Sequence, residues 1–169
     1  MKHTLAVLVE NRPGVLTHIS GLISRRAFNI ESIAAGSTEE SDMTRITLVV
    51  DVENEDELDQ VVNQLSKLVD VIKIVNLTKV DSINRDLALI KVWALPEHRS
   101  DIVDIVDIFR AKIVDVHPET MVIELTGEED KIDALCEVLK GHGIIEIVRT
   151  GKIALSRSAE AAKNSKGLK

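Results

Sequence analysis

Glu10-Asn11-Arg12-Pro13-Gly14-Val15-Leu16 is where the chain changes its hydrophobic period. Before it, Leu5 to Val9 is apolar at every position, as in a strand covered on both faces. After it, Val15, Leu16, Ile19, Leu22 and Ile23 recur at helical spacing, with Thr17, His18, Ser24 and Arg25 on the polar side. Pro13 suits a first helical position, where its missing N–H would be unpaired anyway. Gly14 has no Cβ, so another molecule can approach the backbone closely. The N–H groups of Gly14, Val15 and Leu16 then face outward at the positive end of a helix, a seat for a carboxylate. Asn11 adds a donor and an acceptor beside them. Such a corner can hold both ends of a free α-amino acid. An ordinary strand-to-helix turn can carry the same Pro-Gly, so the loop alone leaves both readings open.

Working outward, the helix runs to about residue 27, a second strand covers residues 30–36, and 37–42 is a polar turn. Arg45 to Val52 alternates, with Ile46, Leu48, Val50 and Val52 on one face. Asn54 followed by Glu57 reads as a capping box. It opens a helix with Leu58, Val61, Val62, Leu65 and Leu68 on one stripe, and a fourth strand covers 71–79. The order is βαββαβ. Two helices on one face of a four-stranded antiparallel sheet, the ferredoxin-like arrangement, follow from it.

A polar link, residues 80–86, precedes a second pass through the same order. Strands are expected at 87–95, 112–116, 120–125 and 144–149. Helices are expected at 100–110 and after Thr126-Glu129, the latter closed by Gly141 as C-cap. Matching elements lie roughly 75 to 87 positions apart, the scale of small domains rather than of a solenoid. The expected fold is therefore α+β, two tandem ferredoxin-like βαββαβ domains. They cover 1–79 and 87–158, with 159–169 a disordered tail lacking periodic apolar positions. Where the first half has Glu10-Asn11-Arg12-Pro13-Gly14-Val15, the second has Leu95-Pro96-Glu97-His98-Arg99-Ser100. No glycine lies near that turn, so side chains should fill the space and only the N-terminal domain should bind an amino acid.

Composition removes several functional classes. Of 169 residues, 44% are hydrophobic but only 2% aromatic, so the core must be built from Val, Ile and Leu. The net charge of −7 argues against nucleic acid or an anionic membrane as partner, and base-stacking platforms are missing. The single cysteine, Cys136, excludes an intrachain disulfide framework and fits a reducing compartment. No apolar run approaches the ~20 residues of a membrane span. No signal peptide is visible, and a cytoplasmic location is expected. His3, His18, His98, His117 and His142 are scattered without ligand spacing, and Cys136 sits on an apolar helix stripe, so neither catalysis nor a metal site is expected. The acidic cluster Glu53, Glu55, Asp56, Glu57 and Asp59 reads as a charged first helical turn. Arg149, Lys152 and Arg157 form a basic strip, either a docking edge or a solvated one.

The ordered set of motifs carries a resemblance. Asn11-Arg12-Pro13-Gly14-Val15-Leu16 with Phe28-Asn29-Ile30-Glu31-Ser32-Ile33 resembles the ACT domain, a small-molecule-binding regulatory module. Three further stretches are Leu68-Val69-Asp70-Val71, Phe109-Arg110-Ala111-Lys112-Ile113-Val114-Asp115-Val116 and Thr150-Gly151-Lys152-Ile153-Ala154-Leu155-Ser156-Arg157. With them the chain, from residue 2 to about 158, is similar to the regulatory small subunits of acetolactate synthase. The resemblance implies a homodimer in which two ACT sheets pair side by side with an amino acid at their joint. Asn11 and the Gly14, Val15 and Leu16 corner of one protomer would hold its charged ends, and Asn29 and Ile30 of the other would close the site. Val15, Leu16 and Ile30 leave room for a short branched chain such as that of valine, and Gln60 would face the same joint. It further implies a large catalytic subunit as partner, activated by this chain and inhibited through it by a branched-chain amino acid. Thiamine diphosphate, Mg²⁺ and FAD would belong to that partner and no cofactor to this chain. A stand-alone amino-acid sensor acting on another enzyme or a transcription factor is the alternative.

Overall fold

The computed structural model describes residues 1–26 and 28–157; the expected tail, 159–169, lies outside them. The elements are β1 (Lys2–Glu10), α1 (Val15–Arg25), β2 (Asn29–Ser37), β3 (Met43–Asp51), α2 (Glu55–Leu65), β4 (Val71–Asn76), β5 (Ser82–Trp93), α3 (Arg99–Ile108), β6 (Lys112–Val116), β7 (Thr120–Gly127), α4 (Glu129–Leu139), β8 (Ile144–Arg149) and β9 (Ile153–Ser156). They form two compact units, residues 1–83 with 152–157, and Asn84–Gly151. Each contains a βαββαβ order, and the α+β class expected from the sequence is what the chain adopts.

In the first unit the sheet runs β2-β3-β1-β4, all antiparallel. Alternation along the central strands decides what faces the helices. Leu5, Val7 and Val9 of β1 and Ile46, Leu48 and Val50 of β3 meet Val15, Ile19, Leu22 and Ile23 of α1 and Leu58, Val61 and Leu65 of α2. Burying each such side chain contributes about 1.5–3 kcal/mol. The cap of α2 forms as its sequence implies, with one difference in partner. Asn54 Oδ1 accepts from the Glu57 N–H at 2.9 Å, while the Glu57 carboxylate accepts from the Glu53 N–H at 2.6 Å rather than from that of Asn54. Glu55, Asp56 and Glu57 occupy the positive end of the same helix. β4 stops at Asn76, whose side chain accepts from Thr78 N–H, and a single 3₁₀ turn takes Leu77–Lys79, which had been expected as strand.

The last described residues belong here too. Ala154 is buried against Ala6 and Leu77 on the sheet face turned away from α1 and α2. Arg45 Nη2 donates to the Ala154 carbonyl at 3.0 Å, and the Arg157 N–H donates to the Asp81 carbonyl at 2.9 Å. The sequence reading carried the second domain on to residue 158. Residues 152–157 group with the first unit, where Ala154 packs on Ala6, while β9 hydrogen-bonds to β5.

The second unit has the order β6-β7-β5-β8. Its core joins Ala88, Ile90 and Val92 of β5 and Ile123 and Leu125 of β7 to Ile102 and Val106 of α3 and Ile132, Leu135 and Leu139 of α4. Three local expectations change. Residues 82–86, read as a polar link, are strand; Asp86, only 7% exposed, is held by Thr150 Oγ1 at 2.9 Å and Arg149 Nε at 3.2 Å. Polarity there is satisfied inside the fold rather than by water. Thr126 does not cap α4: β7 continues through Gly127, and Glu128 is the N-cap without a side-chain bond. Gly141 lies inside a 3₁₀ turn, and Gly143, at φ +83°, takes the left-handed exit instead. Its carbonyl accepts from the Trp93 N–H at 3.0 Å, and a Cβ added there would meet Trp93 Cδ1 at 3.0 Å. Cys136 packs partly buried against this core, and burial pushes its thiol pKa up, so it stays protonated near neutral pH.

Candidate functional site

The loop from β1 to α1 is shaped by one glycine. Gly14 is the N-cap of α1 at φ +91°, ψ −10°, a left-handed conformation that side chains rarely adopt. Pro13 therefore stands before the cap and not at the first helical position. A Cβ added at Gly14 would meet no heavy atom within 4 Å, so the backbone here is bare. Val15 N–H is turned toward the Arg12 carbonyl at 3.4 Å, whereas the N–H groups of Gly14 and Leu16 have no partner among the described residues. Two of the three expected donors thus stand open at the positive end of α1, and the Thr17 N–H beside them likewise has no partner among the described residues. No side chain caps this helix and no acidic residue lies in its first turn, so nothing of the protein's own neutralises that end.

Beside the turn lies a hollow of about 250 Å³ whose walls include Val9, Asn11, Gly14, Leu16, Thr44 and Ile46. Leu16 is 47% exposed and offers apolar surface at the mouth, while Val15, 5% exposed, belongs to the core behind. Asn11 is tied to the β2–β3 loop. Its N–H donates to the Asp42 carbonyl at 2.7 Å and its Nδ2 to the Ser41 carbonyl at 3.4 Å. Arg12, the nearest cation, is paired with Glu10 at 2.8 Å. What the corner offers an anion is therefore backbone dipoles, with a side-chain amide and apolar walls for the rest of a small molecule.

Asn29 and Ile30 are not there. The register pairs Asn29 with Asp51 and Ile30 with Val50, at one end of β3, while Val9 pairs with Thr44 at the other. Seven residues of strand separate the two ends, about 23 Å at ~3.3 Å per residue. Asn29 is exposed, Ile30 half-buried against the core, and their strand β2 is the sheet's edge. The two sets of residues expected to form one site thus lie at opposite ends of a single chain's sheet. Gln60 is exposed on α2. Thr44 and Ile46 wall the hollow and the Ser41 and Asp42 carbonyls hold Asn11, none of which the sequence disclosed. Only the β1–β3 register brings them to Gly14, and no local motif encodes register.

The corresponding corner of the second unit is closed by Arg99. Its guanidinium donates to the carbonyls of Ala94 (3.0 Å), His117 (2.9 Å) and Pro118 (2.5 Å), filling the place of a ligand. The expected basic strip is also divided. Arg149 bonds Asp86 and Asp133 within the second unit, while Arg157 pairs with Asp81 in the first.

Family models match both units: "AHAS small subunit-like ACT domain" over residues 5–73 and "small subunit of acetolactate synthase" over residues 85–158. The chain belongs to the acetolactate synthase small-subunit family. It is 50% identical over 158 residues to a probable acetolactate synthase small subunit of Archaeoglobus fulgidus, covering 93% of this chain and 98% of that one. It is 51% identical over 155 residues to the acetolactate synthase small subunit of Mycolicibacterium smegmatis, covering 92% and 91%. The crystal structure of the small subunit from Thermotoga maritima superposes with a TM-score of 0.85 at 36% identity, over 94% of this chain and 98% of that one. Among the described residues no helix is long and apolar enough to cross a membrane.

Proposed function

We propose that this chain is the regulatory subunit of an acetolactate synthase, activating a large catalytic subunit and conferring on it feedback inhibition by valine. Family membership supports the partner. The observation that carries the effector is the pair of half-sites, the bare Gly14 corner and the Asn29–Ile30 edge, displayed about 23 Å apart on one sheet. A second copy pairing antiparallel along β2 around Ile33 would bring its Asn29 beside Ser37, the residue that pairs with Thr44. Its Asn29 and Ile30 would then stand at the Gly14 end. Valine's carboxylate faces the Gly14 and Leu16 amides, Asn11 and the second copy's Asn29 take the ammonium, and the isopropyl group lies against Leu16 and the second copy's Ile30. Burying that group contributes about 1.5–3 kcal/mol.

A site shared by two protomers makes occupancy and dimer geometry one equilibrium. Valine inhibits only as far as it binds the inhibited arrangement of the assembly better than the active one. The chain works in the cytoplasm and does no covalent chemistry itself; thiamine diphosphate, Mg²⁺ and FAD reside on the catalytic subunit. The test is acetolactate formation by the catalytic subunit, alone, with this chain, and with this chain plus valine. Acceleration by the chain and its reversal by valine are expected. A catalytic subunit that neither gains activity nor becomes valine-sensitive overturns the reading.

A further inference from the structure

The first unit has a second hollow, about 340 Å³, on the sheet face turned away from α1 and α2. Its floor is Ala6, Leu8, Val75 and Leu77, and Leu155 of β9 closes one side. Charges of both signs line it, Arg45 and Lys73 against Glu39 and Glu40. Arg45 donates once, to the Ala154 carbonyl, and among the described residues forms no ion pair, although a guanidinium carries five N–H donors. Glu39 and Glu40 line the same hollow, and their carboxylates likewise form no ion pair among the described residues. A guanidinium and two carboxylates that share an apolar-floored space without pairing with each other are complementary to a molecule carrying both charges and an aliphatic group. The volume is at the small end of ligand pockets, which span roughly 300–1,000 Å³.

We propose that this hollow binds a free zwitterionic α-amino acid with an apolar side chain, as a second site on each chain distinct from the Gly14 corner. The carboxylate takes the planar fork of Arg45, the ammonium faces Glu39 and Glu40, and the side chain lies on Ala6, Leu8 and Val75. The two sites share a loop. Glu39 and Glu40 belong to the β2–β3 connection whose Ser41 and Asp42 carbonyls hold Asn11. Filling the second hollow therefore bears on the residue that lines the first.

The test is calorimetry on the full chain with L-leucine, comparing wild type, Gly14→Asp, Arg45→Gln and the double variant Glu39→Gln/Glu40→Gln. Gly14→Asp should retain one leucine per chain, whether or not the wild type binds a second at the corner. Against that background Arg45→Gln and the double glutamine variant should each weaken leucine at least tenfold. The double variant leaves the Arg45–Ala154 bond intact and so separates recognition from any loosening of β9. 4-Methylpentanoate and 3-methylbutylamine, each lacking one charge, should bind at least tenfold more weakly than leucine. Loss of all leucine binding in Gly14→Asp, or indifference to Arg45→Gln or to the double variant, overturns the second site. If the corner reading alone is wrong, wild type and Gly14→Asp bind leucine alike and the Arg45→Gln effect persists.

Discussion

Replacing Gly14 by aspartate should abolish valine binding at the corner while leaving the fold standing, and the structure supplies both magnitudes. A side chain at φ +91° costs about 1–2 kcal/mol in backbone strain. A Cβ there meets nothing within 4 Å, so no clash is added. A carboxylate at the start of α1 returns about 0.3–1 kcal/mol. The net loss of stability is then about 1 kcal/mol, a small shift in urea midpoint. For the ligand the effect is far larger. Two carboxylates about 4 Å apart at an effective dielectric near 20 repel by about 4 kcal/mol, roughly a thousandfold in affinity. Gly14→Ala carries the strain without the charge and should fall between aspartate and wild type. Calorimetry with valine on all three proteins, each also carrying Arg45→Gln to silence the second hollow, beside urea unfolding of each, reads both quantities. In that background, valine affinity of Gly14→Asp within tenfold of the Gly14 protein would refute the assignment of the carboxylate. Equal losses in the alanine and aspartate variants would show that backbone geometry, not charge, governs the site.

Three further outcomes follow from other parts of the fold. Ile33, 40% exposed on edge strand β2, should abolish dimerisation when changed to lysine, because a charge on an open edge opposes strand pairing; light scattering would show monomers with unchanged circular dichroism, and a persisting dimer would exclude β2 as the joint. Ala154→Leu should lower stability by about 1–3 kcal/mol by overpacking the contact with Ala6 and Leu77, read as a fall in urea midpoint. The N-terminal ammonium bonds Asp51 and holds its carboxyl below the usual range. A carboxylate with a lowered folded pKa contributes stability above the unfolded value, about 4, and that contribution is lost as pH falls through the folded pKa. Asp51→Asn should therefore narrow the gap between urea midpoints at neutral and strongly acidic pH, and an unchanged gap would deny the pair any role.

The order of elements was legible wherever the hydrophobic period switched between strand and helix, as at Val9 to Val15 or Val52 to Leu58. What escaped was information that periodicity does not carry. Pro13 beside Gly14 looked like a helix start until the positive φ of Gly14 placed the cap there, two residues after the Arg12 that a first-position Pro13 implies. Residues 82–86 looked like a link because Asp86 is charged, and the Thr150 and Arg149 that satisfy it are 64 and 63 positions away. The packing of Ala154 on Ala6 could not be read because the two lie 148 positions apart. At the candidate site, Asn11, Gly14 and Leu16 could be named from the loop. Thr44 and Ile46 could not, since only strand register brings them there, and Asn29 and Ile30 lie outside the corner in a single chain.

The chain has one tryptophan and no tyrosine. Trp93 stands against Gly143 in the second unit, whereas the first unit is built mainly from aliphatic side chains around two central strands, with Phe28 its one aromatic neighbour. Intrinsic fluorescence therefore watches one half of the molecule while the other stays optically silent. Melting followed at once by indole emission and by backbone ellipticity would reveal whether the two halves come apart together or in turn.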